Sequence, residues 1–411
     1  CHGGNPLIDN VTIINNSLGI YLRPNVSGAH PTVINSIIYG NSDNNQIIMS
    51  SGGNAYLSAI DISYCLVQGG QSSISQVLND TINWGSGNID VDPMFFDTTN
   101  GNYHLLATSQ LINAGHPDST DSDGSRADIG AYPYLNTYSG PTWYVSATDG
   151  NDTTATGAST APFKSIQSAI NFATDADSVT VAAGTYVENI KFRDIQIKVV
   201  GENPTTTIID GNNNGTVVMY SEGVHYTSSS LLAKFTIMNG YAEPKGNSQR
   251  DGGGIYSTGY PRFRNLIIRN NIAESEGGGI FTIFGSNIEN CLFIDNEATQ
   301  GAGIYCYATG FLGNQTITNV TISNNIGGGL ALNSGGENQP TNLNLNNSII
   351  WGNDGPSIHF GNLCGIIADY NNIYGGIDSI STENDTFSPT ITWGAGNIDT
   401  DPGFADTANG D

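Results

Sequence analysis

Cations are scarce in this chain. Of 411 residues only 12 are Lys or Arg, against 37 Asp or Glu, for a formal net charge of −25. Such a surface repels nucleic-acid phosphates and anionic membranes, so neither is an expected partner. No apolar run reaches 18 residues and no signal peptide is visible, so no membrane insertion is expected. The five cysteines (Cys1, Cys65, Cys291, Cys306, Cys364) show no C-x-x-C spacing, which leaves zinc and thioredoxin-type chemistry unsupported. Buried structural thiols are the simpler reading, with a disulfide as the alternative. The six histidines are dispersed, and none has a nucleophile at a recognisable spacing.

What the chain has is repetition. Residues 81–102, TINWGSGNIDVDPMFFDTTNGN, return at 390–411 as TITWGAGNIDTDPGFADTANGD, with 15 of 22 positions identical at a shift of 309. The match extends upstream, where NSIIYGN at 35–41 falls on NSIIWGN at 347–353 and Tyr64 on Tyr370. The chain is therefore expected to start and stop inside copies of a long unit. That predicts either a window on a longer array or solenoids completed end to end by neighbouring chains. The module boundary is expected near 137–142, giving 1–137 as the back part of one module and 138–411 as the front and middle of the next.

A shorter period runs inside the long one. Gly252-Gly253-Gly254-Ile255 recurs at Gly277–Ile280, Gly301–Ile304 and Gly327–Leu330, so the closing apolar residue returns after 25, 24 and 26 residues. A second motif alternates with it: Phe235-x-Ile237, Leu266-x-Ile268, Leu292-x-Ile294 and Val320-x-Ile322, each followed by Asn. The stretch 241–251 reads as an inserted loop. Short alternating runs bounded by Gly and Asn are strands with one buried face. A 25-residue coil of several such strands is too short for helix-pair repeats and suits one turn of a parallel β-helix. Asn239, Asn271, Asn296 and Asn325 are expected at one bend, where Asn tolerates left-handed backbone and pairs with the Asn one coil away. The segment 162–173 places Phe163, Ile166, Ile170 and Ala173 on one helical face, so a short amphipathic helix caps the first coil. The fold class expected is all-β: a right-handed parallel β-helix with an N-terminal capping helix, in tandem modules.

Three segments carry a resemblance: Trp143-Tyr144-Val145-Ser146, APFKSIQSAI at 161–170, and SVTVAAGTYVENI at 178–190. They resemble the right-handed β-helix proteins of the pectin-lyase-like superfamily. The Gly-Gly-Gly-Ile and Phe293-Ile294-Asp295-Asn296 pieces are similar to repeats of bacterial polymorphic outer-membrane proteins. GNIDVDP at 87–93 through SRADIGAYPY at 125–134 resembles the closing segment of bacterial secreted β-helix modules with sorting or anchoring roles. The superfold hosts lyases, hydrolases, adhesins and fibres alike, so the resemblance specifies fold more than function.

Candidate sites are few. The run 118–128 alternates carboxylates with a Gly turn, and Asp118, Asp121, Asp123 and Asp128 could serve Ca²⁺, which takes six to eight oxygens. Asp90 and Asp92 form a related pair that returns as Asp399 and Asp401. The other reading makes these residues solvated turns or carboxylates capping backbone amides. Ten N-x-Ser/Thr sequons, at Asn10, Asn15, Asn25, Asn79, Asn151, Asn214, Asn314, Asn319, Asn346 and Asn384, make the chain a candidate glycoprotein.

Enzymatic machinery of the kind the resemblance implies, calcium-binding Asp with a basic residue or clustered Asp with His-Gly, is not found. Arg269 is expected to pair with Asp295 one coil on, and Arg262 and Arg264 lie near Tyr260. Tyr256, Tyr260 and Tyr305 form either an exposed carbohydrate-binding row or a stack along the solenoid wall. The sequence is thus read as a non-enzymatic extracellular or cell-surface protein, structural or adhesive, whose partners are copies of itself end to end and glycans. The alternative is a polysaccharide-binding module, or a polysaccharide lyase or glycoside hydrolase.

Overall fold

The computed structural model describes the chain except for residues 25–27, 44, 51–56, 78, 221–228, 244–250, 309–314, 335–340, 362–363, 384–388 and 406–411. Most of the loop expected at 241–251, together with Asn25, Asn314 and Asn384, therefore lies outside the described residues. Two compact units emerge: Cys1–Ser139 with Asp152–Thr156, and Gly140–Asn151 with Gly157–Asp411. Both are parallel β-solenoids.

In the larger unit each turn contributes strands to three walls. Wall one is a ten-stranded parallel sheet running from Thr142–Val145 to Thr390–Trp393. Wall two has eight strands, from Gly184–Val187 to Asn372–Ile373. Wall three has eight, from Ile190–Lys191 to Ile380–Thr382. Sequence neighbours sit in different walls and strands pair turn over turn, so every ladder is long-range in sequence. The inward residues Phe235, Ile237, Phe263, Ile268, Phe293, Ile322, Ile350 and Phe360 are all 0% exposed. Fully burying each such side chain contributes about 1.5–3 kcal/mol, the main stabilising term of a fold whose turns bury their apolar faces against one another.

The strands stay short because of their corners. Between walls one and two a left-handed residue recurs: Lys234, Asn265, Asn290, Asn319, Asn347 and Tyr370 all have φ of 50–64°. Between walls two and three it recurs at Asn239, Asn270, Asp295 and Asn324, with φ of 55–57°. Asn and Asp accept this geometry because their short polar side chains bond locally. Gly279 stands further along the same passage, just before wall three, where a Cβ would fall 2.5 Å from the carbonyl oxygen of Gly303, so only glycine lets the turns close on each other.

Two details depart from expectation. The left-handed residue and the ladder residue are different. Asn239 aligns with Asn270, Asp295 and Asn324, whereas the paired amides belong to the next position: Asn271, Asn296, Asn325 and Asn353. On one turn of wall two the register also shifts by one against the motif, which holds at Phe235/Ile237, Leu266/Ile268 and Val320/Ile322. Ile268 pairs with Phe293 and Arg269 with Ile294, so Cys291 and Phe293 point inward where Leu292 and Ile294 were expected. Leu292, Phe293 and Ile294 are all apolar, and alternation alone could not choose between them.

The helix spans Ile166–Phe172, entirely buried, with Ser165 accepting from the N–H of Ser168. Its first free amides, Ile166 and Gln167, donate to the two carboxylate oxygens of Glu188 at 2.8 and 3.0 Å. A negative group there offsets both the orphan donors and the helix dipole. Phe163 and Phe172 stack at 5.1 Å, closing the first turn.

The smaller unit has a four-stranded sheet (Leu7–Asp9, Thr32–Ile34, Ala59–Ser63, Thr81–Trp84) and two three-stranded ones, all parallel. The repeated sequence folds alike in both units. Strand Leu66–Val67, short helix Gly70–Ser73 and strand Thr81–Trp84 match strand Asn372–Ile373, short helix Gly376–Ser379 and strand Thr390–Trp393. Tyr64 and Tyr370 are both left-handed, and a Cβ at Gly87 or Gly396 would fall within 2.3 Å of the respective ring.

Candidate functional site

The acidic run 118–128 folds as a turn in which three of the four candidate carboxylates cap backbone amides. Asp128, 2% exposed, accepts the N–H of Asn113 through Oδ1 and of Tyr134 through Oδ2, both at 2.7 Å. Asp121 accepts the N–H of Asp128 at 2.9 Å. Asp123 accepts from Ser125 and, through its other oxygen, from Asn136 N–H at 2.7 Å. Asp118 stands in solvent, its side chain 93% exposed. Among the described residues no three acidic, His or Cys side chains converge on a common point. The donor set suits amide capping and does not fit the calcium loop the alternation suggested.

Asp90 and Asp92 are exposed. Asp92 caps Met94 N–H at 2.8 Å and lines a cavity of about 390 Å³ with Asn15, Tyr39 and Phe95. Burial, then the charges of Asp92 and Asp90, raise the Tyr39 phenol above its usual range. In the other copy Asp399 accepts from Gly375 N–H and Asp401 from Gly403 N–H. Of the described sequons, Asn10, Asn15, Asn79, Asn151, Asn214 and Asn319 are exposed, and Asn346 is half-buried.

The cations are segregated. Ten of the 12 lie between Lys164 and Arg269, and residues 270–411 hold 15 Asp or Glu and no Lys or Arg. Arg264 bridges Glu289 on the next turn at 2.8 Å, in register on wall one. Arg269 is paired in register with Ile294, not Asp295. Its charge still pulls the Asp295 carboxyl down, against the larger upward effect of burial. Tyr260 is half-buried, and its phenol is raised by burial.

Wall three carries the polar constellation. Its inward column, Ile255, Ile280, Ile304, Leu330 and Ile358, is at most 1% exposed. The alternate positions face out: Tyr256, Phe281, Tyr305, Ala331, His359 and Ser381 in one column, with Ile283, Tyr307 and Asn333 in the next. Tyr256, Phe281 and Tyr305 stack at 5.4 Å intervals and are 5% exposed or less, so the exposed aromatic row is replaced by the stack along the wall.

The stack ends at Ala331, and polar groups from successive turns gather there. Asn333 donates to the Tyr305 hydroxyl at 3.3 Å, and that hydroxyl bonds the Glu276 carboxyl. A Cβ at Gly361 would fall 2.4 Å from Asn333 Cγ, so glycine makes room for the amide. His359 Nδ1 lies 2.8 Å from Ser381 Oγ, while its Nε2 is buried with no partner among the described residues. Tyr307, half-exposed, flanks Asn333. Burial foremost, with smaller repulsions from Asp251 and Glu383, pushes Glu276 up to about 6 against the Tyr305 bond that lowers it. Burial lowers His359, opposed by Glu383.

No motif hints at this grouping, because Glu276, Tyr305, Asn333, His359 and Glu383 are spread over more than 100 residues. Only the wall-three register brings them together. The arrangement offers a carboxyl raised to about 6, a planar amide, an imidazole and the partly exposed Tyr307 ring, which stacks on Phe281 at 6.4 Å.

No protein-family model matches the chain, and no curated protein matches it. Among solved structures, a point mutant of the PL6-family alginate lyase AlyGC is similar over 98% of this chain and 56% of its own, at 13% identity and a TM-score of 0.34. The chain thus spans about half the length of that structure, and at this distance the likeness carries no argument about activity. The fold is a parallel β-solenoid with little helix.

Proposed function

We propose that the chain is an extracellular structural and adhesive protein, a β-solenoid shaft that contacts glycan through the outward face of wall three. The observation that carries this reading is the row Glu276–Tyr305–Asn333 beside the half-exposed Tyr307 ring. Sugar sites pair an aromatic face with a few convergent planar polar groups. Elsewhere the polar side chains serve the scaffold, as Asn ladders and amide caps, which supports a shaft. No helix is long and apolar enough to cross a membrane among the described residues. Association of copies end to end would extend the shaft. Co-sedimentation with a panel of insoluble polysaccharides tests the contact. The wild type is retained on at least one, and Tyr307→Ala and Asn333→Ala are not. Electron microscopy tests the filament.

A second reading is favoured by one observation. Burial raises the Glu276 carboxyl to about 6, and an acid held high by burial with a second carboxylate, Glu383, acting on it is a part that glycoside hydrolases use. Reducing-end release from the same panel, abolished by Glu276→Gln, would support it.

A further inference from the structure

We propose that one corner of the larger unit, formed by Thr321, Asn347, Ile349 and Tyr370, is the docking site of a second closing segment, a stretch with the turn chemistry of residues 103–136. The smaller unit shows the equivalent corner occupied. There Asn35 is held by the run that follows the solenoid. Its Oδ1 accepts His116 N–H at 2.7 Å, its backbone oxygen accepts Gly130 N–H at 2.8 Å, and its Nδ2 reaches Ser119 Oγ at 3.4 Å. Ala131 N–H donates to Thr12 Oγ1 at 3.0 Å. The Tyr64 ring meets His116 edge-on at 5.0 Å, and the Arg126 guanidinium lies 5.8 Å from its centre, a cation–π distance. Two glycines permit the approach. A Cβ at Gly115 would fall 2.9 Å from Asn35 Oδ1, and one at Gly130 would fall 2.6 Å from Ile37 Cδ1.

The larger unit builds the same corner and leaves it open. Asn347 and Tyr370 keep the left-handed backbone of Asn35 and Tyr64, with φ of 50° and 57°. Ser348 Oγ accepts Val320 N–H at 3.2 Å, as Ser36 Oγ accepts Val11 N–H at 3.1 Å. Thr321 pairs in register with Ile349, as Thr12 does with Ile37. Yet Asn35 is 0% exposed and Ile37 1%, whereas Asn347 is exposed, Ile349 half-buried and Tyr370 64% exposed. Pro93, whose carbonyl accepts from Ser109 Oγ, is buried, and its counterpart Pro402 is half-buried. The two corners differ in cover, not in shape. A bulky residue in the left-handed region is a costly choice for a bare corner, and in the occupied copy the tyrosine ring is what His116 and Arg126 grip. The sequence indicates the same occupant, since 390–411 repeat 81–102, the run that in the smaller unit leads into 103–136.

The test compares the chain with two extended forms. One carries a second copy of residues 103–136 after Asp411, which keeps the register of the repeat, and the other carries the same residues in shuffled order. Tetranitromethane nitrates exposed tyrosines, and peptide mapping reads the rate at Tyr370, with Tyr21 of the smaller unit as the reference. Tyr370 should react about tenfold more slowly in the first extended form than in the other two chains, with Tyr21 unchanged. Asn347→Gly, which keeps the left-handed corner and removes the amide, should return Tyr370 to its unextended rate. Equal reactivity in all three chains would overturn the proposal, as would equal protection by the shuffled extension or protection that survives Asn347→Gly. Protection seen only in a dimer would give the corner to a second copy and overturn it as well.

Discussion

The side chain of Asn296 uses its full hydrogen-bonding capacity on neighbouring turns. Its Oδ1 accepts both the backbone N–H and the Nδ2 of Asn271, at 3.1 and 3.0 Å. Its Nδ2 donates to Ile268 O at 2.9 Å and to Asn325 Oδ1 at 3.0 Å. Four polar groups on the two flanking turns therefore bond to one buried amide. Asn296→Ala should remove all four bonds, leave the Asn271 N–H without its acceptor, and cost about 3–4 kcal/mol, well above the usual ~1 kcal/mol of a single bond. Asn296→Asp, which keeps the acceptor and loses the donors, should be nearly as damaging. Denaturant melts of both variants give the answer, and a loss under 1 kcal/mol for either would show the ladder to be dispensable.

The carboxylates of 118–128 predict a ranking. Asp128 caps two backbone amides in a buried position, so Asp128→Ala should cost about 2–4 kcal/mol, while the solvent-facing Asp118→Ala should stay within ~0.5 kcal/mol. Chelation with EDTA should leave the melting temperature unchanged, because the oxygens are committed to N–H groups. A Tm that falls with EDTA, and recovers with calcium but not magnesium, would restore the cation loop.

How much of this was visible in the chain follows from what sequence spacing can encode. The Gly-Gly-Gly-Ile spacing fixed the length of a turn, and the mark is physical, because Gly279 must be glycine for its turn to approach the next. The helix was readable from Ile166 and Ile170, but Phe163, expected on the same helical face, lies before the N-cap in a parallel bridge to Val145. The wall-two register was not, since Leu292-Phe293-Ile294 is apolar throughout and hides the inward Cys291. The role of Asn was half readable. Its tolerance of left-handed backbone and its laddering amide were expected in one residue, and the structure divides them between neighbours such as Asn270 and Asn271. Least readable was wall three, where Glu276 lies four residues before its strand and meets Tyr305 and Asn333 only through inter-turn register.

The thiols give a chemical check on burial. No disulfide joins the five cysteines; Cys1 is exposed and the other four are buried. Burial pushes the thiols of Cys65, Cys291 and Cys364 up to about 12, and Cys306 is raised as well. Only the thiolate attacks a disulfide reagent, so the native protein should release one rapid equivalent from Ellman's reagent and five after denaturation. A second rapid equivalent would mean that a turn of the solenoid opens locally. Fewer than five after denaturation without reductant would reveal a disulfide.

Glu276 links the proposed site to stability through pH. Its carboxyl rises from 4.5 in the unfolded chain to about 6 in the fold, chiefly by burial. A raised acid favours the folded state fully below about pH 4.5, and that contribution is lost as pH climbs through about 6. Because Glu276 is only partly buried, the amplitude after solvent screening should be about 1 kcal/mol. Glu276→Gln carries no such titration and keeps a hydrogen-bonding group beside Tyr305. The difference in unfolding free energy, variant minus wild type, should therefore grow by about 1 kcal/mol between pH 4.5 and 7 and level off above. The rest of the protein titrates in both and cancels. If the difference stays flat across that interval, the Glu276 carboxyl is solvated in the native state, and its bond to Tyr305 cannot be the organising contact of wall three.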